Sequence, residues 1–425
     1  MHEQASATRI APVTRTDRLN RTDRWPVALL VAATATGSLG LAAGGTAGAL
    51  LAVAITGREA TAGLPIGVLV AGSAVGALAI SRAARRLGRG RALAAGYAIG
   101  AAGALLVAVA AGRDSLLGVL AGSFVMGVAN PAVFLARYAA ADLTVVRARG
   151  RAIGAVLAGA TVGAVAGPNL LGPSGRFAAG LGLPDLAGLY LVAVGSFGLA
   201  AAMLVGLPAV RTAGPQPVAA ARSADRPAAA ALGALGLLAA ANLVMVGIMA
   251  IAPPHLTAHG HDLTTVGVIV SLHVVGMFAL SPGFGWLADR LGGAVVGGLG
   301  IGLLALVGVA TIAVDPADRT SVTVYLVLLG VGWSGAVVGG SALLVAELPP
   351  AVRPRGEAWG EVAMGLGAAG GAPAAAVVLA AGGLSAVGLA AAGVAVAALA
   401  AAALARGHHA DRPRRLADRG LVRRD

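Results

Sequence analysis

Residues 147–172 read RARGRAIGAVLAGATVGAVAGPNLLG. Arg147, Arg149 and Arg151 open the stretch, and no charged side chain follows from Ala152 to Gly172. Gly154, Gly159, Gly163 and Gly167 recur at spacings of five, four and four, which lines them along one face of a helix. Pro168 comes next. In water such a helix is poor, since each Gly costs about 1 kcal/mol relative to Ala. In lipid the same small residues admit a second helix's backbone, and neighbouring helices satisfy the carbonyls a Pro frees. The stretch reads as a membrane helix, its glycines either ordinary small-residue packing or a specialised helix contact.

The rest of the chain agrees. Of 425 residues, 58% are hydrophobic and 12% charged, a balance foreign to soluble domains. Twelve apolar runs are long enough to cross about 30 Å of hydrocarbon: 27–50, 61–81, 92–112, 115–138, 152–172, 186–208, 228–252, 263–287, 293–314, 320–346, 357–380 and 384–405. Only Gly-Gly-Leu-Ser separates the last two. The expected organisation is a tail (1–26), a six-helix bundle (27–208), a polar linker (209–227), a second bundle (228–405) and a C-terminal tail (406–425). With no cysteine, disulfides, thiol catalysis and Cys-held metals are excluded. The tail is too long and too acidic for a signal-peptide n-region.

All 31 basic side chains are arginine, and they set the topology. With the N-terminus in the cytoplasm, 26 arginines fall on the cytoplasmic side and four, Arg58, Arg113, Arg176 and Arg319, on the other. Arg137 alone falls inside a run. The split predicts both termini inside. It also explains the net charge of +13 without nucleic acid, because the arginines sit in loops rather than on one patch.

The two sets of six runs repeat. Arg85-Arg86-Leu87-Gly88 aligns with Asp289-Arg290-Leu291-Gly292 at an offset of 204, and Arg149-Gly150 with Arg355-Gly356 at 206. A parallel six-helix duplication is the plan of the major facilitator transporters. Within 154–172, Gly154, Gly163, Gly167-Pro168 and Gly172 resemble the antiporter signature on the fifth helix of exporters of that superfamily, with Leu171 where Gly is usual. The segment Gly285-Trp286-Leu287-Ala288-Asp289-Arg290-Leu291-Gly292 resembles the superfamily's loop motif between the second and third helices. The first copy departs from it, with Ser81 for Gly and Arg85 for Asp. Ser123 stands where such exporters usually carry a membrane arginine.

The resemblance implies an all-α integral membrane protein of twelve helices in two pseudo-repeats. It implies a multi-pass plasma-membrane carrier that exports a small organic molecule against protons by alternating access, with import or facilitated passage of a metabolite as the alternative. Gly285, Asp289, Arg290 and Gly292 are then gate residues, with Asp289, beside Arg290, pairing across to a neighbouring helix to hold one gate conformation; a bare charge cluster is the plainer reading.

Polar groups at depth are the remaining candidates. His273, near a midplane, and Glu361, one turn inside the eleventh run, are proton-coupling candidates, since His titrates near neutral pH. Arg137 is expected to snorkel or to pair with Asp142. Asn130, Asn169, Asn242, Met245, Met249 and Met277 are cavity candidates, against plain packing or structural hydrogen bonds. His255, His259 and His261 resemble a metal cluster but read as solvated histidines of an outer loop, so no metal is expected. Without lysine there is no phosphate-binding loop, and no cofactor or catalytic group is expected. The expected partners are a small substrate, protons and lipid, with a monomeric protein.

Overall fold

The computed structural model describes residues 24–58, 61–207, 225–313 and 318–418. The tail 1–23, most of the linker and the last seven residues lie outside these. Among the described residues every regular element is a helix. The first half holds α1 (Arg24–Thr56), α2 (Leu64–Leu87), α3 (Arg89–Ala111), α4 (Leu116–Gly127), α5 (Ala129–Asp142), α6 (Arg149–Asn169), α7 (Leu171–Gly180) and α8 (Gly188–Val205). The second holds α9 (Asp225–Ala258), α10 (Leu263–Phe278), α11 (Ser281–Leu291), α12 (Gly293–Ala310), α13 (Arg319–Glu347) and α14 (Arg353–Asp418).

Where a span is cut into two helices, proline sits at or beside the cut. The fourth crossing breaks at Val128, ahead of Pro131, and the eighth breaks ahead of Pro282. The fifth crossing pauses at Leu170, two residues past Pro168. Each proline lacks the N–H that would continue the ladder. The fifth span does not end at Gly172 as the sequence suggests. It continues through α7 to Gly180, which places Arg176 on a helix rather than in a loop. His255 likewise sits in the last turn of α9, not in an outer loop.

Among the described residues ten helical stretches are long and apolar enough to cross a membrane. One of these, Arg353–Ala403, runs 51 residues and bends at Gly382 and Gly383, whose φ of +71° only glycine adopts freely. That bend falls in the Gly-Gly-Leu-Ser boundary and makes two crossings of one stretch. With α1 the passes come to the twelve expected. The duplication appears in the backbone too. Gly88 and Gly292 end equivalent helices with φ of +84° and +85°, the left-handed turn that reverses the chain between the second and third crossings of each half.

Helices within a half pack through small residues. α3 lies on α4 and α12 on α13. Apolar burial adds little in lipid, so this close contact and its dispersion energy carry the association. At its N-terminus Asp318 caps α13, accepting from the Ser321 and Thr320 amides at 2.9 and 3.2 Å. Those bonds hold its carboxyl below the usual range.

Candidate functional site

The two halves meet at the end of the bundle that bears α1's start and the α2–α3 and α11–α12 turns. Two backbone contacts anchor the meeting. Ser81 of α2 donates to the Pro354 carbonyl at the start of α14, 2.8 Å away. At the equivalent place Gly285 of α11 lies so near Gly150 of α6 that a Cβ on either would strike the other's carbonyl. Gly154 sits in the same way on Ser281. Small residues therefore stand here because the halves approach backbone to backbone.

Each anchor carries its own charges. Asp289 accepts from the Gly150 and Arg151 amides at 2.7 and 3.2 Å and from the Arg151 side chain at 3.1 Å. A carboxylate at the first amides of α6 complements that helix's partial positive end. At the α2–α14 anchor the counterpart of Asp289 is Arg85, whose positive charge is the wrong sign for such a role. A different device takes over. Arg89 holds Glu357 in a bidentate pair, at 2.6 and 2.9 Å, and Asp142 at 2.6 Å. Arg353 reaches Asp142 at 2.9 Å. Glu357, Arg89, Asp142 and Arg353 thus form a buried chain of alternating sign, and arginine's planar fork suits it.

One turn deeper lies a second pair. Arg137 of α5 is fully buried and its Nη2 lies 2.7 Å from Glu361 of α14. The guanidinium also donates to Ser341 Oγ at 2.9 Å, the Phe134 carbonyl at 2.8 Å and Tyr138 Oη at 3.1 Å. It stacks on the Tyr138 ring, 4.4 Å from the centroid. Arg137 neither snorkels nor pairs with Asp142, whose oxygens Arg89 and Arg353 occupy. A charge this deep is stable only against an opposite one, and Glu361 is within reach because the halves have closed.

Beside the pair, Asn242 donates to the Met364 carbonyl at 3.0 Å and accepts from Trp333 Nε1. Trp333 packs edge-on against Phe278 at 5.4 Å. The other sequence candidates divide. Met277 is buried, and Met245 and Met249 are half-buried against the core. Asn130 donates to Ser73 at 2.8 Å, and Asn169 to the Val165 carbonyl of its own helix. His273 is buried with Nδ1 2.7 Å from the Leu326 carbonyl, between α10 and α13, and its Nε2 meets no partner. Arg290 lies exposed over Trp286, 4.0 Å from the ring, while Arg151 is the arginine on Asp289. Gly163 packs on Ser38 and Leu39 of α1, whereas Gly172 has only the end of the Arg176 side chain near it. Gly167 is buried and Gly292 makes the turn described above. The His255 and His259 rings lie tilted against each other at 4.2 Å, and no group of three suited to a metal ion occurs among the described residues.

Sequence reasoning missed Arg89, Asp142, Arg353 and Glu357 as a unit, and Ser341 altogether. A signal was available for the inner pair. Arg137 and Glu361 are ionisable groups of opposite sign within otherwise apolar runs, so each needs the other.

The sequence model of the Major Facilitator Superfamily matches residues 232–423. YddS of Bacillus subtilis (strain 168), described as an uncharacterized MFS-type transporter, is 34% identical over 264 residues, 57% of this chain and 59% of that protein. YdeG of the same organism is 32% identical over 258 residues, 57% of this chain and 60% of that protein. The chain thus spans about three-fifths of the length of these relatives. The riboflavin transporter RfnT of Brucella anthropi is 32% identical over 110 residues, 26% of this chain and 27% of that protein. Among solved structures, the Escherichia coli fucose:proton symporter FucP superposes with a TM-score of 0.68 at 15% identity, covering 91% of this chain and 99% of that one. A bacterial homologue of ferroportin in an outward-facing state gives 0.69 at 13%, covering 90% and 99%. The fold carried by the described residues is therefore that of the major facilitator superfamily.

Proposed function

We propose that the chain is a secondary carrier of the major facilitator type, working by alternating access in the plasma membrane with both termini in the cytoplasm. One observation carries this reading: the halves are joined at one end by a seam of ion pairs and backbone contacts that includes buried charges. Such a seam is a two-position element, since breaking it exposes paired groups to water that hydrates them equally well. In the orientation the arginines favour, the seam is the closed cytoplasmic gate.

The cargo on this reading is a small organic molecule, exported in exchange for protons. The resemblance of 154–172 to the exporter signature supports the direction. Glu361 supports the coupling: a proton there removes the charge that holds Arg137 and loosens the seam from inside. His273 is the second coupling candidate. The alternative is import or facilitated passage of a metabolite. It is favoured by Ser123, a buried hydroxyl in place of the exporters' arginine, and by local similarity to a riboflavin transporter. Metabolite levels and drug susceptibility compared between cells with and without the protein decide it, because export and import shift them in opposite directions. A change of neither sign counts against a carrier.

A further inference from the structure

A groove of about 810 Å³ opens between the first two turns of α1 and the start of α6, bounded by the tight turn Val146–Ala148. Its walls are apolar, with Val27, Val31, Ala152 and Ala155 facing it. Arg147 and Arg151 stand at its rim, and none of its lining residues is acidic. Arg147 is exposed. The Arg151 side chain is 53% exposed, with Nε on Asp289 and Nη2 near the Arg147 carbonyl at 3.4 Å. Polarity therefore runs along the bundle axis, cations at the seam end and methyl groups deeper. Val146, 74% exposed beside Arg147, extends the apolar surface past the groove.

We propose that this groove seats one anionic phospholipid, its phosphate on Arg147 and Arg151 and an acyl chain along Val27, Val31 and Ala155. A phosphodiester matches a pair of guanidinium groups in charge and geometry, and anionic lipid is concentrated at cytoplasmic arginines. The tail 1–23, which joins α1 at this mouth, is the wrong occupant. It carries Arg9, Arg15, Arg18 and Arg21 against Glu3, Asp17 and Asp23, an excess of the sign already at the rim. The lipid shares Arg151 with Asp289. Its phosphate takes donors that Asp289 leaves free and holds Arg151 in the rotamer that closes the seam. The proposal depends on the membrane location and on no particular cargo.

The full-length protein, purified with phosphatidylglycerol and phosphatidylcholine in equal amounts, is examined by native mass spectrometry. One phosphatidylglycerol is expected to stay bound and phosphatidylcholine to wash away. Arg147→Gln, which removes an exposed charge, and Ala28→Trp, which fills the groove from an exposed wall position, are each expected to weaken retention about tenfold or more, as loss of a charge-assisted contact or of the cavity does. Retention at the wild-type level in either variant overturns the proposal, as does equal retention of phosphatidylcholine. Displacement of the lipid by inorganic phosphate points to a free-anion site and also overturns it. A photo-cross-linking residue at position 28 is expected to capture lipid, and its capture of residues 1–23 instead assigns the groove to the tail.

Discussion

Arg137 and Ser341 stand 204 positions apart, the same offset that relates Gly88 to Gly292, and they touch: Arg137 Nε donates to Ser341 Oγ at 2.9 Å. Two equivalent residues in contact mark where the pseudo-two-fold relation between the halves passes. The contact is chemically lopsided, a cation facing a hydroxyl. The missing anion is supplied by Glu361, from α14. The duplicated scaffold thus provides the meeting point, and departure from symmetry provides the charge pair.

That pair makes the first prediction. Removing one partner of a buried ion pair costs about 3–5 kcal/mol, while replacing both with apolar groups is often neutral. Arg137→Leu and Glu361→Leu are each expected to lower the melting temperature of the purified protein markedly. The double variant is expected to regain most of the loss. Additive losses in the double variant would show that the two charges are not coupled.

A second prediction separates positions within the stretch 154–172. Gly154→Val drives a side chain into the Ser281 backbone, and Gly285→Val does the same at Gly150. Both are expected to cut transport about tenfold or more, since overpacking of a few kcal/mol forces the seam apart. Gly172→Ala meets only Arg176 Nη1 at 3.8 Å and is expected to transport normally. Equal loss at Gly172 would mean that the stretch acts through something other than helix contact.

The gate carboxylate gives a third. Asp289→Asn keeps one acceptor for the Gly150 amide but loses the charge at the α6 terminus and the pair with Arg151. Transport is expected to fail with normal membrane expression. Flux at the wild-type level would assign closure to the Arg89–Glu357 anchor alone.

Much of this was legible in the sequence, for physical reasons. Apolar length reports hydrocarbon thickness, so the twelve crossings could be read, and Pro131, Pro168 and Pro282 lie at breaks because proline lacks an N–H. The offset near 204 emerged from loop motifs alone. What stayed hidden was pairing across the halves. Arg89 reads as one more loop arginine until α14 brings Glu357 to it from 268 positions away. From the sequence Arg137 is expected to snorkel or to pair with Asp142, and Arg353 claims that acid from the other half. The apolar run ends at Gly172 in the sequence, yet α7 winds on through Pro173 and Gly175.

Orientation is tested by labelling, which the native absence of cysteine makes direct. Arg58 and Arg319 are exposed at the end opposite the seam. Arg58→Cys and Arg319→Cys are expected to react with an impermeant thiol reagent added to intact cells. Ser223→Cys, in the linker outside the described residues, is expected to stay unlabelled until the cells are opened. Labelling of Ser223→Cys in intact cells inverts the topology.

The final prediction concerns which group carries the exchanged proton. His273 has the suitable side chain, but Nδ1 is engaged by the Leu326 carbonyl and the ring sits between two helices of one half. Its Nε2 meets no hydrogen-bond partner, so a proton there breaks no hydrogen bond to the other half. Glu361 faces Arg137 across the seam, so its protonation changes what holds the halves together. In reconstituted vesicles Glu361→Gln is expected to abolish uphill, pH-driven transport while leaving downhill substrate exchange. Arg137→Gln with Glu361→Gln removes both charges, which spares the fold an unpaired arginine, and is expected to behave the same way. His273→Gln keeps a donor and similar bulk but cannot titrate, and is expected to respond to an imposed pH gradient as wild type does. A reversed outcome, with coupling lost in His273→Gln and kept in both Glu361 variants, moves the proton site to α10 and leaves the Arg137–Glu361 pair as a purely structural clasp.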